Sequence, residues 1–178
     1  MHQRYGARIQ LEHRAFPLRP QPDASVKFQG TYREAAWQRA AALAAADGIR
    51  WRMWTRDDFP QWSLPALEAA KCAALQGEAA FADMNLRLFR GFFEQGVNIA
   101  EPEEILTLAR EAPLDYPRFV DDFLSGGMRQ EVLRDYEEAL TRYAVHAIPT
   151  VVFAEREWVV GAVPLAKYEE VLAKFGVT

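Results

Sequence analysis

The sequence is poor in cysteine and histidine, with one Cys and three His among 178 residues. Because Cys72 is the only cysteine, these residues contain no intrachain disulfide, no Cys-x-x-Cys redox pair and no cysteine-rich zinc site. The histidines, His2, His13 and His146, lie far apart in the sequence. We therefore expect no metal site and no cofactor.

Long apolar runs are also lacking. Arg, Asp or Glu interrupts every candidate stretch before it reaches the roughly 18 residues that a membrane-spanning helix needs. The first residues, MHQRYG, lack the apolar core of a secretory signal peptide. These absences predict a soluble protein of the cytoplasm that has no membrane partner.

Positive charge is enriched in the first third of the chain, but it forms no basic run. Residues 1–56 contain ten Lys and Arg against four Asp and Glu, whereas the remainder contains eleven against twenty-one, and the net charge is -4. The basic residues are interleaved along the chain, which is typical of a solvated surface. We therefore expect no nucleic-acid partner.

The length of the chain fits one domain with an inserted lobe, and the composition fits a sizeable core, since 50% of the residues are hydrophobic and 26% are charged. Residues 8–16 largely alternate polar with apolar side chains, which predicts a strand. Prolines at positions 17, 20 and 22 predict a loop after it. The irregular, aromatic segment 49–62 predicts a packed loop.

Helical patterns occupy most of the middle of the chain. Alanine-rich or amphipathic stretches predict helices at residues 32–46 (closed by Asp47-Gly48), 63–76 (capped by Ser63), 78–95, 101–111, 115–124 and 128–143. Two β-branched segments, 150–154 and 157–160, predict an antiparallel hairpin, and residues 165–175 predict a final helix. This order predicts an α/β sheet that carries a helical insertion.

The most informative segment is VHAIPTVVF, residues 145–153, where a proline stands between a helix and a buried strand. A cis Ile148-Pro149 bond would turn the chain sharply and leave the backbone N–H and C=O of Ile148 facing outward. Those two groups could then pair with an extended peptide as an added strand. The segment therefore indicates a peptide-binding edge.

The order of this segment, the hairpin, GAVP at 161–164 and a terminal amphipathic helix resembles the C-terminal part of thioredoxin-like folds. More narrowly, the chain resembles the FrnE-like branch of the DsbA family. Three further stretches carry this resemblance: RAFPLRP at 14–20, ALEAAKCAALQG at 66–77 and LFRGFFEQGVNI at 88–99. The resemblance implies a thioredoxin-like, DsbA-type α/β fold with an all-helical insertion. Residues 1–30 and 144–178 would form the sheet portion, and residues 31–143 the helical lobe and connecting helix.

The family's redox chemistry depends on a Cys-x-x-Cys motif at the start of the first helix, and that motif is absent from this sequence. Only seven residues precede the strand expected at 8–16, whereas a βαβ unit needs about 30. We therefore expect residues 2–7 to be the tail of that helix and the chain to be N-terminally truncated. Thiol–disulfide exchange requires an attacking thiolate, so we expect this chain to be inactive and to have no catalytic residue of its own.

The resemblance implies that Ile148, Pro149, Thr150 and His146 bind substrate, with His146 near the active-site groove. The alternative interpretation of His146 is that the dipole at a helix C-terminus favours a histidine at this position. Cys72, among alanines, is interpreted as a packing residue, and the alternative is a reactive thiol. Asp57 and Asp58 are interpreted as turn residues, because no histidine or third acid lies nearby in the sequence.

The aromatic residues have two interpretations. Trp51, Trp54 and Trp62 could line a pocket, although packing within the lobe is the more common role. The apolar stripe from Phe81 to Phe93 is interpreted as core.

The missing strand predicts two unpaired sheet edges that face a gap, and unpaired buried backbone groups are costly. We expect the chain to form a homodimer across this gap, to borrow a strand, or to be a shortened version of a longer product.

Three functions remain open. The first is a thiol–disulfide oxidoreductase-like domain that lacks its nucleophile, and the second is a non-catalytic module that binds a peptide or small molecule. The third is a protein similar to the glutathione-linked isomerases and transferases of the related serine-dependent branch. The expected partner is a peptide or thiol substrate.

Overall fold

The computed structural model describes residues 2–45 and 48–177. The described residues form α-helices and a pair of strands, with a 3₁₀ turn at Gly6–Arg8 and a π-helical turn at Gly91–Gln95. In chain order these elements are α1 His2–Tyr5, α2 Tyr32–Ala45, α3 Leu64–Ala74, α4 Glu78–Arg90, α5 Pro102–Arg110, α6 Tyr116–Leu124, α7 Arg129–Thr141, β1 Thr150–Phe153, β2 Glu157–Val160 and α8 Leu165–Lys174.

The chain divides into two compact units. The first, here called the sheet unit, is Met1–Phe16 together with Arg134–Thr178, and the second, the helical unit, is Pro17–Leu133. The sequence analysis predicted the corresponding boundaries at 30/31 and 143/144. This predicted domain organisation stays a prediction. No described helix is long and apolar enough to cross a membrane.

The sheet unit is built on the predicted hairpin. β1 and β2 pair antiparallel, with Thr150 opposite Val160 and Phe153 opposite Glu157. Ala154 and Glu155 turn the chain between them with positive φ angles of 45° and 57°. Alternate strand residues form one apolar face, which packs in a core cluster with the last helix and the N-terminal segment; its buried members are Tyr5, Phe153, Val159, Val171 and Leu172.

The strand expected at residues 8–16 is absent, so this prediction was wrong. Residues 9–16 are extended or irregular and belong to no ladder, and the sheet of the described residues has the two strands β1 and β2 alone. An alternating pattern specifies faces but cannot supply a hydrogen-bonding partner. The sequence analysis placed residues 8–16 and 150–160 in one sheet, and the described residues lack this pairing.

The helical unit holds the larger apolar core. Small residues of α3 allow close packing against α4, α5 and α6, and the buried cluster includes Ala69, Ala73, Met84, Ile105 and Phe119. A second cluster, the aromatic cluster, has Val26, Phe28, Trp37, Trp54 and Phe59 at its centre, with Trp51, Met53, Phe92 and Phe93 packed around it. Residues 49–62 lack helix and strand, as predicted.

Several predicted helix ends are refined by the structure. The helix expected over 78–95 changes to a π-helical turn at Gly91 and ends at Gly96, whose φ is 72°. Ser63 precedes α3, but its side chain makes no cap bond and instead accepts the backbone N–H of Arg19 at 3.1 Å. The predicted end of α2 at Ala46 and Asp47 lies outside the described residues.

Candidate functional site

The segment His146–Thr150 links α7 to β1 in the sheet unit and is the candidate substrate-binding segment. Its Ile148-Pro149 peptide bond is cis. The carbonyl oxygen of Pro149 accepts the backbone N–H of Gly161 at 2.7 Å, which ties the segment to the residue after β2. The segment is therefore positioned by the hairpin that follows it.

Two further hydrogen bonds fix the side chains of this segment. Thr150 donates its hydroxyl to the carbonyl oxygen of Ala147 at 2.6 Å. The imidazole Nδ1 of His146 lies 3.2 Å from the carbonyl oxygen of Ala144, so Nδ1 carries the donated proton in this contact. His146 is exposed, and its Nε2 is left to act as an acceptor when the ring is neutral.

The free edge of β1 is the most distinctive feature of the site. Because the Pro149 carbonyl bonds to Gly161, Thr150 and Val160 form a non-hydrogen-bonded antiparallel pair. The backbone N–H and C=O groups of Ile148, Thr150 and Val152 therefore point away from β2 along the opposite edge of β1. No described strand pairs with that edge.

Ile148 is the most accessible part of this edge. Its side chain is 43% exposed, and its backbone groups make no hydrogen bond within the described part of the chain. Trp158 and Val160 of β2 are also largely exposed. They lie on the sheet face shared with Thr150 and Val152, since cross-strand partners project to the same side. The edge thus combines unpaired backbone groups with apolar surface.

Cys72 lies in α3 of the helical unit and not in the candidate segment. It is 1% exposed within the core cluster. Burial raises the pKa of its thiol to about 12, and the charges of Asp122 and Glu68 act in the same direction. The thiolate needed for exchange is therefore strongly disfavoured, which supports the packing interpretation.

Asp57 and Asp58 do not form a catalytic pair. Arg56 and Asp58 form an ion pair, and the same guanidinium bonds to Glu104 at 2.6 Å. The hydrogen bond from Arg56 lowers the pKa of Asp58, as does that from Asn98. Asp57 is exposed. Asp58 thus belongs to a loop contact and lacks the raised pKa that suits a general acid.

The predicted aromatic residues have different roles. Trp51 and Trp54 belong to the aromatic cluster, whereas Trp62 lies beneath the Arg129 guanidinium, 5.6 Å from the ring centre. In the stripe from 81 to 93, Met84 and Leu88 are buried as expected. Phe89 is 55% exposed, so for this residue the core prediction was wrong. It lies on the outer side of α4, one position after Leu88.

A groove beside the aromatic cluster was missed by the sequence analysis. It encloses about 300 Å³, and its lining includes Trp37, Phe92, Arg19 and Arg33. These side chains come from separate segments of the helical unit, so no contiguous sequence motif indicates the groove. Among the described residues, no group of three or more His, Cys, Asp or Glu could hold a metal ion.

The hairpin, the cis-proline segment and the last helix are those of a thioredoxin-like domain. Comparisons with known proteins agree with this class. Residues 1–173 match the family model of the DSBA-like thioredoxin domain. The chain therefore belongs to the DsbA-like thioredoxin domain family, and the helix-rich structure with its small sheet has the fold expected with a helical insertion.

Two crystal structures share the fold. One, assigned as a DsbA oxidoreductase from Streptomyces coelicolor, has a TM-score of 0.76 and 22% identity, covering 91% of this chain and 73% of that one. The other, assigned as a protein disulfide isomerase from Nitrosomonas europaea, has a TM-score of 0.71 and 15% identity, covering 88% and 79%. No curated protein sequence gives a significant match.

Proposed function

We propose that this chain provides the substrate-binding side of a DsbA-like thiol–disulfide oxidoreductase. An extended, cysteine-containing polypeptide binds along the free edge of β1, where it pairs with the backbone of Ile148 and Thr150. The observation that carries this proposal is the row of unpaired N–H and C=O groups on that edge, which begins at the exposed Ile148. Strand addition of this kind derives its affinity from main-chain hydrogen bonds.

His146 and Thr150 have positioning roles in this proposal. The Thr150 hydroxyl holds the Ala147 carbonyl, which fixes the backbone immediately before Ile148. His146 has an exposed ring next to the same backbone, and in this proposal its free nitrogen contacts the bound peptide. Pro149 contributes no amide of its own, and its carbonyl is bonded to Gly161, so it anchors the segment.

The exchange chemistry needs a sulfur that this chain does not place at the edge. A thiolate must attack one sulfur of a disulfide, form a mixed disulfide and release the other sulfur as a thiolate. Cys72 is buried in the helical unit and remains a thiol. We therefore propose that these residues alone bind substrate without exchanging it. We also propose that the chain is of the FrnE-like branch and acts in the cytoplasm.

Two matched proline variants test the binding edge. Val152→Pro removes an amide that faces the free edge of β1, and Val160→Pro removes an amide from the outer edge of β2, so both leave the ladder between the strands intact. Binding of a short fluorescent peptide with an S-methylated cysteine is measured by anisotropy. We expect Val152→Pro to weaken binding about tenfold or more, whereas Val160→Pro binds like the wild type.

Equal weakening by both variants, or no peptide binding by the wild type, would contradict the proposal. Thermal unfolding of each variant establishes that it is folded before binding is measured. Light scattering at the same protein concentrations tests whether a second copy of the chain, and not the peptide, occupies the edge. A dimer that Val152→Pro converts to a monomer would assign the edge to self-association.

Insulin reduction by dithiothreitol tests the chemical part of the proposal. We expect the chain to give the same rate as buffer, because its thiol is inaccessible. A clear acceleration that disappears in Cys72→Ala would overturn this part and leave the binding result unaffected.

A further inference from the structure

The groove of the helical unit has an aromatic lining. Trp37 of α2, Trp51 and Phe59 of the irregular segment, and Phe92 and Phe93 of the π-helical turn enclose about 300 Å³. Trp37 is buried, and its indole N–H is already bonded to the carbonyl oxygen of Arg52 at 2.9 Å. The rings fix one another, since Trp37 contacts both Phe92 and Phe93 edge-on or tilted at about 5 Å. The lining is therefore a preformed apolar surface.

Arg19 and Arg33 line the same groove. Arg19 donates to the backbone carbonyl of Pro60 at 3.2 Å. Arg33 donates to the backbone carbonyl of Lys27 at 3.2 Å and lies over the Tyr32 ring, 4.9 Å from its centre. Neither forms an ion pair with a carboxylate in the described part of the chain. Burial, followed by the charge of Arg33, lowers the pKa of Arg19. Two like charges thus lie beside an apolar surface without a counter-ion.

The acid whose charge acts on Arg19, Asp23, is engaged elsewhere. Its carboxylate accepts the backbone N–H of Ser25 at 2.9 Å and the Ser25 hydroxyl at 2.6 Å. Those two bonds are the main causes of its lowered pKa, and the charges of Arg19 and Arg33 contribute less. Asp23 is exposed and acts on the two arginines only at longer range.

Two buried donors of the groove residues are also unsatisfied. The Nε of Arg19 and the indole Nε1 of Trp51 are inaccessible to solvent and have no hydrogen-bond partner. A buried donor without an acceptor carries a desolvation cost. These two donors carry that cost, and the two guanidinium groups that line the groove lack a negative charge beside them.

We propose that this groove binds a small organic anion with a flat apolar body, of the class of aromatic carboxylic acids. The body lies against the aromatic rings, and the carboxylate bonds to the guanidinium groups of Arg19 and Arg33, whose planar donors match two carboxylate oxygens. The volume is at the lower limit of small-molecule pockets, which suits a ligand with about one bicyclic ring system. The proposal is independent of peptide binding at β1.

Calorimetric titration with 2-naphthoate tests the class of ligand. The neutral analogue 2-naphthalenemethanol has the same ring system, and inorganic phosphate has the charge without the rings. We expect naphthoate to bind about tenfold or more tightly than either. Equal binding of the alcohol would show that the arginines do not recognise the ligand, and tighter binding of phosphate would assign the site to a free phosphate group. Each result would overturn the proposal.

Variants locate the binding site. Arg33→Gln and Arg19→Gln should each weaken naphthoate binding about tenfold, whereas Arg39→Gln, which removes an exposed charge from α2, leaves it unchanged. Because Arg19 is partly buried, Ala40→Leu provides an independent test: it fills the groove and should weaken both ring ligands, and Ala42→Leu on the exposed side of α2 should not. Unchanged binding in Arg33→Gln and Ala40→Leu, with melting temperatures like that of the wild type, would refute the site.

Discussion

Asp135 accepts the backbone N–H of Ala15 at 2.8 Å, although the two residues are 120 positions apart. Asp135 is 4% exposed and also bonds to the guanidinium of Arg14 at 3.0 Å. A side chain of α7 therefore takes the place that a neighbouring strand would occupy for this part of the segment 9–16. This contact gives the buried amide of Ala15 a hydrogen-bond partner in the absence of a ladder.

Replacing Asp135 with Ala should destabilise the fold by about 2–3 kcal/mol, because the buried amide of Ala15 loses its acceptor. Asp135→Asn keeps one oxygen as an acceptor and should have a smaller effect. Urea unfolding measures the free energy, and hydrogen exchange at the Ala15 amide reports the local change. Glu137→Ala, at an exposed position of the same helix, serves as the control and should stay within about 0.5 kcal/mol of the wild type. Unchanged protection of Ala15 in Asp135→Ala would contradict the assigned role.

The thiol of Cys72 should be unreactive in the folded protein. With a pKa of about 12, roughly one molecule in ten thousand carries the thiolate at pH 8, and burial blocks access. Ellman's reagent should therefore detect no thiol in the native chain and one thiol per chain in guanidinium. As a matched control, Ala74→Cys in a Cys72→Ala background places a thiol at an exposed position of α3 and should react at once. Rapid labelling of native Cys72 would restore it as a candidate reactive group.

The sequence was most informative where a local pattern determines the structure. The helices and the hairpin follow from side-chain periodicity and end signals, and the Pro149 segment was found because its residues are contiguous. The strand at 8–16 could not be judged in this way, because a strand exists only with a partner. The groove of Arg19 and Arg33 was missed for a related reason, since its lining is assembled from distant segments. Phe89 was misplaced because the apolar stripe of α4 is wider than its buried face.

The ion pair of Arg56 with Asp58 should make stability depend on acid pH. Arg56 lowers the pKa of Asp58 in the folded chain, so the folded state holds its carboxylate charged to lower pH than the unfolded state does. The stabilising contribution is complete above the unfolded pKa of about 4 and is lost as the pH falls through the folded value. We expect the melting temperature of the wild type to fall more steeply below pH 4 than that of Asp58→Asn.

The expected difference is small, because both partners of this pair are substantially exposed. Asp57→Asn is the neighbouring control and should reproduce the pH profile of the wild type. Parallel profiles for the wild type and Asp58→Asn would mean that the pair contributes nothing measurable.

Gly91, at the start of the π-helical turn, should resist any side chain. A Cβ at this position would lie 2.8 Å from Cδ1 of Leu108, which is itself buried. Alanine improves helix propensity by about 1 kcal/mol, but overpacking costs about 1–3 kcal/mol, so Gly91→Ala should be net destabilising. Leu108→Ala creates a cavity that accepts the new methyl group, and the double variant should therefore be more stable than the sum of the single effects predicts. Gly127→Ala, where the new atom meets only the exposed side chain of Ser125 at 3.2 Å, is the matched control. The free energy of unfolding of each single variant and of the double variant is measured with urea. If the effects of the two single variants add strictly in the double variant, Leu108 does not exclude a side chain at Gly91.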